Sequence, residues 1–228
     1  MFFSSHNDDV AFVSHASGLL EVEGKGPLCA EDTDVTPFGD KGWADEFSYL
    51  KICPGVTAIG PGFLEAFPGM QVLELPRTVE AVDESEAAIG FLRKRRVLVR
   101  GAFDSFAEDF ARRHGLDFLH ADIYLACDRD ERRQSNTFIT LRFFRNGSAD
   151  LHYDEYSPGS SAGNWGGGVC TTDLPRNFYR GCSLEAFAGH FSEDLREALM
   201  QNEELALFLE KVQGRKSVAE PERRGRRR

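Results

Sequence analysis

The sequence lacks paired cysteines, a leader and any long apolar run, and each absence excludes a class of protein. Its five cysteines form no CxxC pair, which argues against a disulfide framework or a zinc site. Free, mostly buried thiols in a reducing compartment are the better interpretation. No stretch approaches the roughly 20 apolar residues of a membrane helix. The first nine residues lack the basic and apolar regions of a signal peptide. We therefore expect a cytoplasmic protein that does not contact a membrane.

Signatures of catalysis are also missing. There is no Gly-x-Ser-x-Gly elbow, and Cys170 and Cys182 have no neighbouring histidine that the sequence would pair with them. His190 falls in a helical segment, where a partly buried neutral histidine is commoner than a base. We expect no catalytic residue, no enzymatic activity and no cofactor.

The charge balance is acidic, with 37 Asp and Glu against 27 Lys and Arg and a net charge of −10. This balance argues against nucleic acid as a partner, because affinity for phosphates depends on Lys and Arg. The exception is residues 215–228, a Lys- and Arg-rich run without apolar periodicity, which predicts a disordered basic tail. At 41% apolar residues, the 228-residue chain can bury a core of one large or two small domains.

Two segments repeat with a period of 23 residues. Residues 50–59 align with residues 73–82, and all four apolar positions of the first segment recur in the second, namely Leu50, Ile52, Val56 and Ile59 as Leu73, Leu75, Val79 and Val82. Such a period indicates a solenoid, in which each unit buries its face against its neighbours. Leu-x-Leu predicts a short strand, the Val-x-x-Ile segment a corner, and Phe63 and Phe67 fill the interior. Residues 97–99 form a third, degraded unit.

This segment resembles the BspA-like leucine-rich repeats of bacteria. Residues 73–82, with Ile59-Gly60 and Ala66-Phe67 before them, follow that family's pattern L-x-x-I-x-I-P-x-S-V-x-x-I-G-x-x-A-F. Residues 97–101, 105–111 and 115–118 are similar to the segment that often closes such arrays, so the resemblance covers residues 49–120. Cys53 stands where the second unit has Pro76, and Asp83 stands where a glycine would follow.

The resemblance implies binding of another protein rather than catalysis. Positions exposed on the short strands and beside them would meet that partner, and these are Lys51, Glu74 and Arg96. Two clear repeats are fewer than the three that an independent solenoid usually needs, so the flanking segments must cap it.

The expected fold class is α/β to α+β, with a solenoid segment followed by a hairpin and helices. The predicted divisions are residues 1–48, residues 49–127, residues 135–214 and the tail 215–228. The first division has strands at 10–13 and 19–23 and a long loop over 24–46, with Trp43 and Phe47 as anchors to the core. The charged loop 128–134 is the predicted boundary.

A capped helix closes the repeat segment. Ser105-x-x-Glu108 predicts a capping box, Phe106, Phe110 and Ala111 share one face, and Gly115 supplies the left-handed stop. Residues 116–125 then return as a strand.

A hairpin follows, with strands over residues 138–144 and 149–154. A turn with Gly147 in a bulge position places one apolar set on a single face, and the set is Ile139, Leu141, Phe143, Ala149, Leu151 and Tyr153. On the opposite face Asp150, His152 and Asp154 alternate. Their spacing is compatible with a metal site, but a solvent-facing row of polar residues is the favoured interpretation.

Two further features complete the chain. The Gly-rich segment 159–168 has no Gly-Lys-Ser/Thr ending and is interpreted as a hairpin loop, although a small anion could bind its amides. Trp165 within it either packs back on the hairpin or contacts a partner. Residues 169–174 predict a third strand. Ser183 then caps a helical stretch that breaks near Asn202 and ends at Gly214, with one buried side made of Leu195, Leu199, Leu205, Phe208, Leu209 and Val212.

Overall fold

The 23-residue spacing of the sequence is also the spacing of paired strands in the computed structural model of the chain. Leu50 lies opposite Leu73 in one parallel sheet, and Ile59 lies opposite Val82 in another. The structure describes residues 2–4, 10–15, 17–34, 44–130, 135–145, 149–156, 165–166, 179, 181–191 and 193–216. The chain divides into unit 1, residues 1–121, and unit 2, residues 122–228. Its described part is mixed α/β, as predicted at the level of fold class.

The described residues of unit 1 form ten strands. They are β1 (Phe2–Ser4), β2 (Val10–Ser14), β3 (Leu19–Gly24), β4 (Gly26–Leu28), β5 (Tyr49–Ile52), β6 (Val56–Ile59), β7 (Val72–Glu74), β8 (Ala81–Val82), β9 (Leu98–Gly101) and β10 (Asp117–His120). A seven-stranded sheet has the order β1-β2-β3-β5-β7-β9-β10, and a smaller sheet has the order β4-β6-β8. From β3 to β10 the strands of the larger sheet are parallel. Each pass of the chain runs in the same direction and places its strand beside the previous one.

The smaller sheet corrects one sequence expectation. The segment Val56–Ile59 was predicted to turn a corner, yet it is a strand paired on both sides. The loop predicted over residues 24–46 likewise contains β4 and a short 3-10 helix, Ala30–Thr33. Both differences have one cause. The strands β4, β6 and β8 pair in a second sheet, at nearly the same offsets along the sequence as β3, β5 and β7.

The core of unit 1 lies between its two sheets and two helices. Alternate residues of the strands face it, including Leu20, Leu50 and Leu73, and all three are buried. Phe63 and Phe67 are fully buried with ring centroids 5.5 Å apart, as predicted. Phe47 is buried as expected, whereas Trp43 lies outside the described residues.

The part of unit 1 that the structure describes also forms two α-helices, α1 (Glu86–Arg95) and α2 (Phe106–His114). The sequence patterns had assigned no helix to residues 86–95, although the Ser85 side chain caps α1 by accepting a hydrogen bond from the Ala88 amide. Gly115 ends α2 with a φ of 62°, as predicted.

The capping box predicted at Ser105 is wrong. The Ser105 hydroxyl donates to the Ala102 carbonyl at 2.6 Å and makes no capping bond. Glu108 instead accepts a hydrogen bond from the Asp104 amide. The tight turn from β9 into α2 directs the Ser105 hydroxyl toward the residues before it. The four-residue sequence motif carries no information about this turn.

Unit 2 begins with a four-stranded antiparallel sheet in chain order. Its strands are β11 (Ile123–Asp130), β12 (Ser135–Phe143), β13 (Ala149–Tyr156) and β14 (Trp165–Gly166). The register pairs Leu141 with Leu151 and Phe143 with Ala149, which is the pairing chosen for the predicted bulged hairpin. The turn residues 146–148 and the predicted strand 169–174 lie outside the described residues.

Three helices follow the sheet, α3 (Leu184–Ala188), α4 (Glu193–Met200) and α5 (Glu203–Lys216). Ser183 caps α3 as predicted, and the predicted break near Asn202 separates α4 from α5. Asn202 accepts a hydrogen bond from the Leu205 amide and donates to the carbonyls of Tyr124 and Leu125, so one side chain both starts α5 and ties it to β11. The helix does not stop at Gly214 but continues to Lys216.

The division between the units precedes the predicted one. Residues 128–130 of the predicted boundary loop belong to β11, and the division falls between Ala121 and Asp122. The segment predicted as one strand over residues 116–125 is accordingly two strands, β10 in unit 1 and β11 in unit 2. The tail 217–228 lies outside the described residues.

Candidate interaction surface

Four charged residues lie in one row across neighbouring strands of the seven-stranded sheet. Glu21 on β3 pairs with Lys51 on β5, Lys51 pairs with Glu74 on β7, and Glu74 pairs with Arg100 on β9. We call this set the charge row. Its members alternate with core residues along each strand, so they lie on the face opposite the core, with their charges alternating from strand to strand.

The Glu21 end of the charge row is partly exposed and internally paired. The Lys51 ammonium lies 2.8 Å from one Glu21 carboxylate oxygen, and the His15 ring lies 3.0 Å from the other. Burial raises the pKa of Glu21, but the hydrogen bonds and charges of Lys51 and His15 together outweigh it, so the pKa is lowered. Burial lowers the pKa of Lys51, but Glu21 outweighs it, so that pKa is raised. Both groups therefore stay charged near neutral pH.

The Arg100 end of the charge row is buried. The Arg100 side chain is 8% exposed and that of Glu74 is 14% exposed, with 3.6 Å between their charged groups. Between them the Tyr49 hydroxyl donates to Glu74 and accepts from Arg100 at 2.7 Å. Arg100 also donates to the His120 carbonyl at 3.3 Å. Glu74 was predicted to be exposed for a partner, and this is wrong, because tyrosine and arginine from both adjacent strands surround it.

Of the residues predicted to bind a protein, the three in the repeat segment do not share one surface. Lys51 is half-exposed in the charge row, and Glu74 is held inside it. Arg96 lies elsewhere, at the C-terminal end of α1, where it is exposed and left-handed with a φ of 53°. The sequence patterns missed His15, Glu21, Tyr49 and Arg100. The signal was present as the 23-residue offset between Lys51 and Glu74, which makes them cross-strand neighbours of opposite charge.

Two groups in and beside the charge row, Lys51 and Cys53, are poor nucleophiles near neutral pH. A protonated Lys51 amine is not a nucleophile. Burial, and then the charge of Glu21, raises the pKa of the neighbouring Cys53 thiol to about 11, so the reactive thiolate is scarce near neutral pH. Cys29 and Cys53 are free thiols, but Cys29 is exposed, which corrects the expectation that the thiols are mostly buried.

The hairpin residues proposed for a metal lie on β13. Asp150 is opposite Arg142, His152 opposite Thr140, and Asp154 opposite Phe138. Of the three, His152 has a described side chain, and it is half-buried. Within the described residues, no three His, Cys, Asp or Glu side chains gather closely enough to hold a metal ion. The metal site stays a prediction.

The Gly-rich segment is described only at residues 165–166. Trp165 and Gly166 form β14, paired with Tyr156 and Glu155. This pairing places the backbone of Trp165 at the edge of the unit 2 sheet. The contact predicted for the Trp165 side chain, and the loop for which anion binding was the alternative, fall on parts outside the described residues.

Comparisons with known proteins give a limited result. No protein-family model and no curated protein matches the sequence. Among solved structures, the chain is similar to a leucine-rich repeat protein from Eubacterium ventriosum, with a TM-score of 0.27 and 20% sequence identity. The match covers 35% of this chain and 22% of that protein, so the chain spans about a fifth of its length. None of the helices in the described ranges is long and apolar enough to cross a membrane.

Proposed function

We propose that this chain is a non-catalytic protein-binding module of the bacterial leucine-rich-repeat type that acts in the cytoplasm. Its contact surface is the face of the seven-stranded sheet around Glu21 and Lys51. The observation that carries the proposal is the charge row, four alternating charges in register on four adjacent strands. The free thiols of Cys29 and Cys53 suit a reducing compartment.

The charge row is suited to recognition because it is fixed before a partner arrives. Glu21 holds Lys51 from one side, and Tyr49 and Arg100 hold Glu74 from the other. A surface whose side chains are already ordered loses less conformational entropy on binding. Its alternating charges attract a partner surface with the complementary charge pattern and repel a surface with like charges. Such complementarity contributes more to specificity than to affinity.

The test exchanges the charges of the accessible pair. The double variant Glu21→Lys with Lys51→Glu keeps the ion pair and the net charge while reversing the pattern that a partner meets. Glu74 is not a useful target, because a lysine there would face Arg100 in a buried position. A matched control exchanges two exposed charges away from the row, Lys25→Glu with Glu80→Lys.

The variants are compared by affinity purification of the tagged protein from its own host. Mass spectrometry and a metal assay on the same eluate identify the bound protein or metal. A reproducible protein partner that the control retains and the charge exchange loses supports the proposal, provided that circular dichroism shows both variants folded. A partner that both variants retain would place the contact elsewhere. An eluate with no protein partner but a stoichiometric metal, lost on His152→Ala, would move the site to the hairpin.

A further inference from the structure

A second charged surface lies at the C-terminal ends of the two helices of unit 1. Arg93 on α1 donates to the His114 carbonyl at the end of α2 at 2.9 Å, so the two helix ends lie side by side. The basic residues gathered there, called the basic patch, are Arg93, Lys94, Arg95, Arg96, Arg112, Arg113 and His114. All but His114 are exposed.

The charge of the basic patch is opposite to that of the chain. It holds six of the 27 Lys and Arg residues, which leaves 21 of them against all 37 Asp and Glu in the remainder. Because the rest of the protein is acidic, this positive cluster creates a local electrostatic field that attracts anions. Like charges so close together also repel one another, and a bound anion would relieve that repulsion.

Part of the basic patch already binds a carboxylate, and this shows which ligand chemistry it suits. Glu84 places one oxygen 2.6 Å from the Arg113 guanidinium and the other 2.8 Å from the His114 ring. The hydrogen bond from His114, and then the contact with Arg113, lowers the pKa of Glu84. Arg112 pairs with Asp109 at 2.6 Å.

The remaining cations are not neutralised in this way. Lys94 and Arg96 form no ion pair with any residue that the structure describes, and the Arg95 guanidinium lies over the Phe91 ring at 5.4 Å. The helix dipole favours cations at a helix C-terminus, which accounts for some basic residues in these last turns. Arg96 follows the last turn as the C-cap of α1, where its backbone amide donates to the Arg93 and Leu92 carbonyls while its side chain forms no ion pair within the described ranges.

We propose that the basic patch binds an acidic segment of a partner protein, with Lys94, Arg95 and Arg96 contacting its carboxylates. This goes beyond the function proposed for the charge row, and it concerns a different surface. Arginine is suited to this role because its planar guanidinium pairs with a carboxylate through two parallel hydrogen bonds. The two helix ends span roughly 10–15 Å, enough for a few acidic residues. A long nucleic acid would extend onto the acidic remainder of the chain and be repelled.

The probe is a fluorescein-labelled hexaglutamate peptide, with hexaglutamine as the uncharged control, measured by fluorescence anisotropy at low and physiological salt. We expect hexaglutamate to bind, with an affinity that falls as salt rises. The variant Lys94→Glu with Arg96→Glu should weaken that binding by about tenfold or more. The matched control Lys25→Glu with Arg77→Glu changes the net charge equally at exposed positions away from the basic patch, and it should stay within about twofold of wild type.

Three outcomes would overturn the proposal. Equal binding of hexaglutamate and hexaglutamine, or equal loss in both double variants, would show that the basic patch has no site of its own. Tighter binding of a single-stranded oligonucleotide than of hexaglutamate would make it a nucleic-acid surface. Self-association in sedimentation that only Lys94→Glu with Arg96→Glu abolishes would make it an interface between copies of this chain. Exchanging Glu21 and Lys51 should leave hexaglutamate binding unchanged, so the two proposals can fail independently.

Discussion

Glu21 is the residue that organises the accessible end of the charge row, since its two carboxylate oxygens contact Lys51 and His15. Replacing it with glutamine keeps the size of the side chain and removes its charge. We expect Glu21→Gln to lower the free energy of unfolding at pH 7 by roughly 0.5–1 kcal/mol, because Lys51 is more than a third exposed and solvent screens the pair. Urea unfolding monitored by circular dichroism measures this difference.

The pH dependence of that difference has a definite sign. The pKa of Glu21 is lower in the folded protein than its ordinary value of 4.5, so folding favours its ionised form. The stability that Glu21 adds is therefore present above pH 4.5 and is lost as the pH falls through the folded pKa. Wild type and Glu21→Gln should differ at pH 6, and the difference should shrink as the pH falls below 4.5. A difference that grows as the pH falls below 4.5 would contradict the lowered pKa.

Cys53 offers a separate test at the residue scale. Because the pKa of its thiol is about 11, its alkylation rate should rise about tenfold per pH unit from pH 7 to pH 10 without reaching a plateau. Mass spectrometry of the peptide that contains Cys53 after timed iodoacetamide treatment measures the rate, with glutathione as the reference thiol and circular dichroism as the check on folding. A plateau near pH 9 would show an ordinary thiol and remove the evidence that Glu21 and burial act on it.

At the scale of elements, the packing of α2 against β9 depends on a missing side chain. A Cβ atom at Gly101 would lie 2.5 Å from the Cβ of Ala107 in α2 and 3.2 Å from the Leu75 carbonyl oxygen. Gly101→Ala must therefore push the helix from the strand, and it should lower the free energy of unfolding by about 1–3 kcal/mol.

The matched control is Gly90→Ala in the exposed middle of α1, where a Cβ atom meets nothing within 4 Å. This change should raise the free energy of unfolding by roughly 0.5–1 kcal/mol, because alanine loses less backbone entropy than glycine in a helix. Urea unfolding of both variants compares them directly. Equal effects of the two substitutions would show that the contact between Gly101 and Ala107 is not tight.

The sequence predicted the elements whose signals are local and periodic. Leu50 and Leu73 repeat in register, and the alternation around Leu141 favoured the observed hairpin pairing. It failed where a partner distant in the chain decides the outcome. The Ser105 hydroxyl turns toward Ala102 because of the route of the chain, and Glu74 is largely covered because Tyr49 and Arg100 reach it from neighbouring strands. Pairing across a sheet can be derived from sequence only once the strand order is known.

At the scale of the whole molecule, unit 1 has a contiguous hydrophobic core that its own described residues form. Its buried members run from Val10 to Ala111, and partly buried Leu116 and Phe118 pack against it. A chain of about 120 residues can bury enough apolar surface to fold by itself. The division at Ala121 also keeps every described strand of the larger sheet within unit 1, because β10 ends at His120.

We therefore expect a fragment of residues 1–121 to unfold cooperatively. Its urea transition, followed by circular dichroism, should respond to Gly101→Ala and Gly90→Ala in the same directions as the full chain, because both positions and the neighbours of Gly101 lie within unit 1. It should also bind hexaglutamate as the full chain does, since both helices of the basic patch are retained. A fragment ending at residue 100 is the control, because it removes α2 and β10 and with them part of the core. If the 1–121 fragment shows no cooperative transition, unit 1 needs residues beyond Ala121, and the boundary between independently folding parts lies later in the chain.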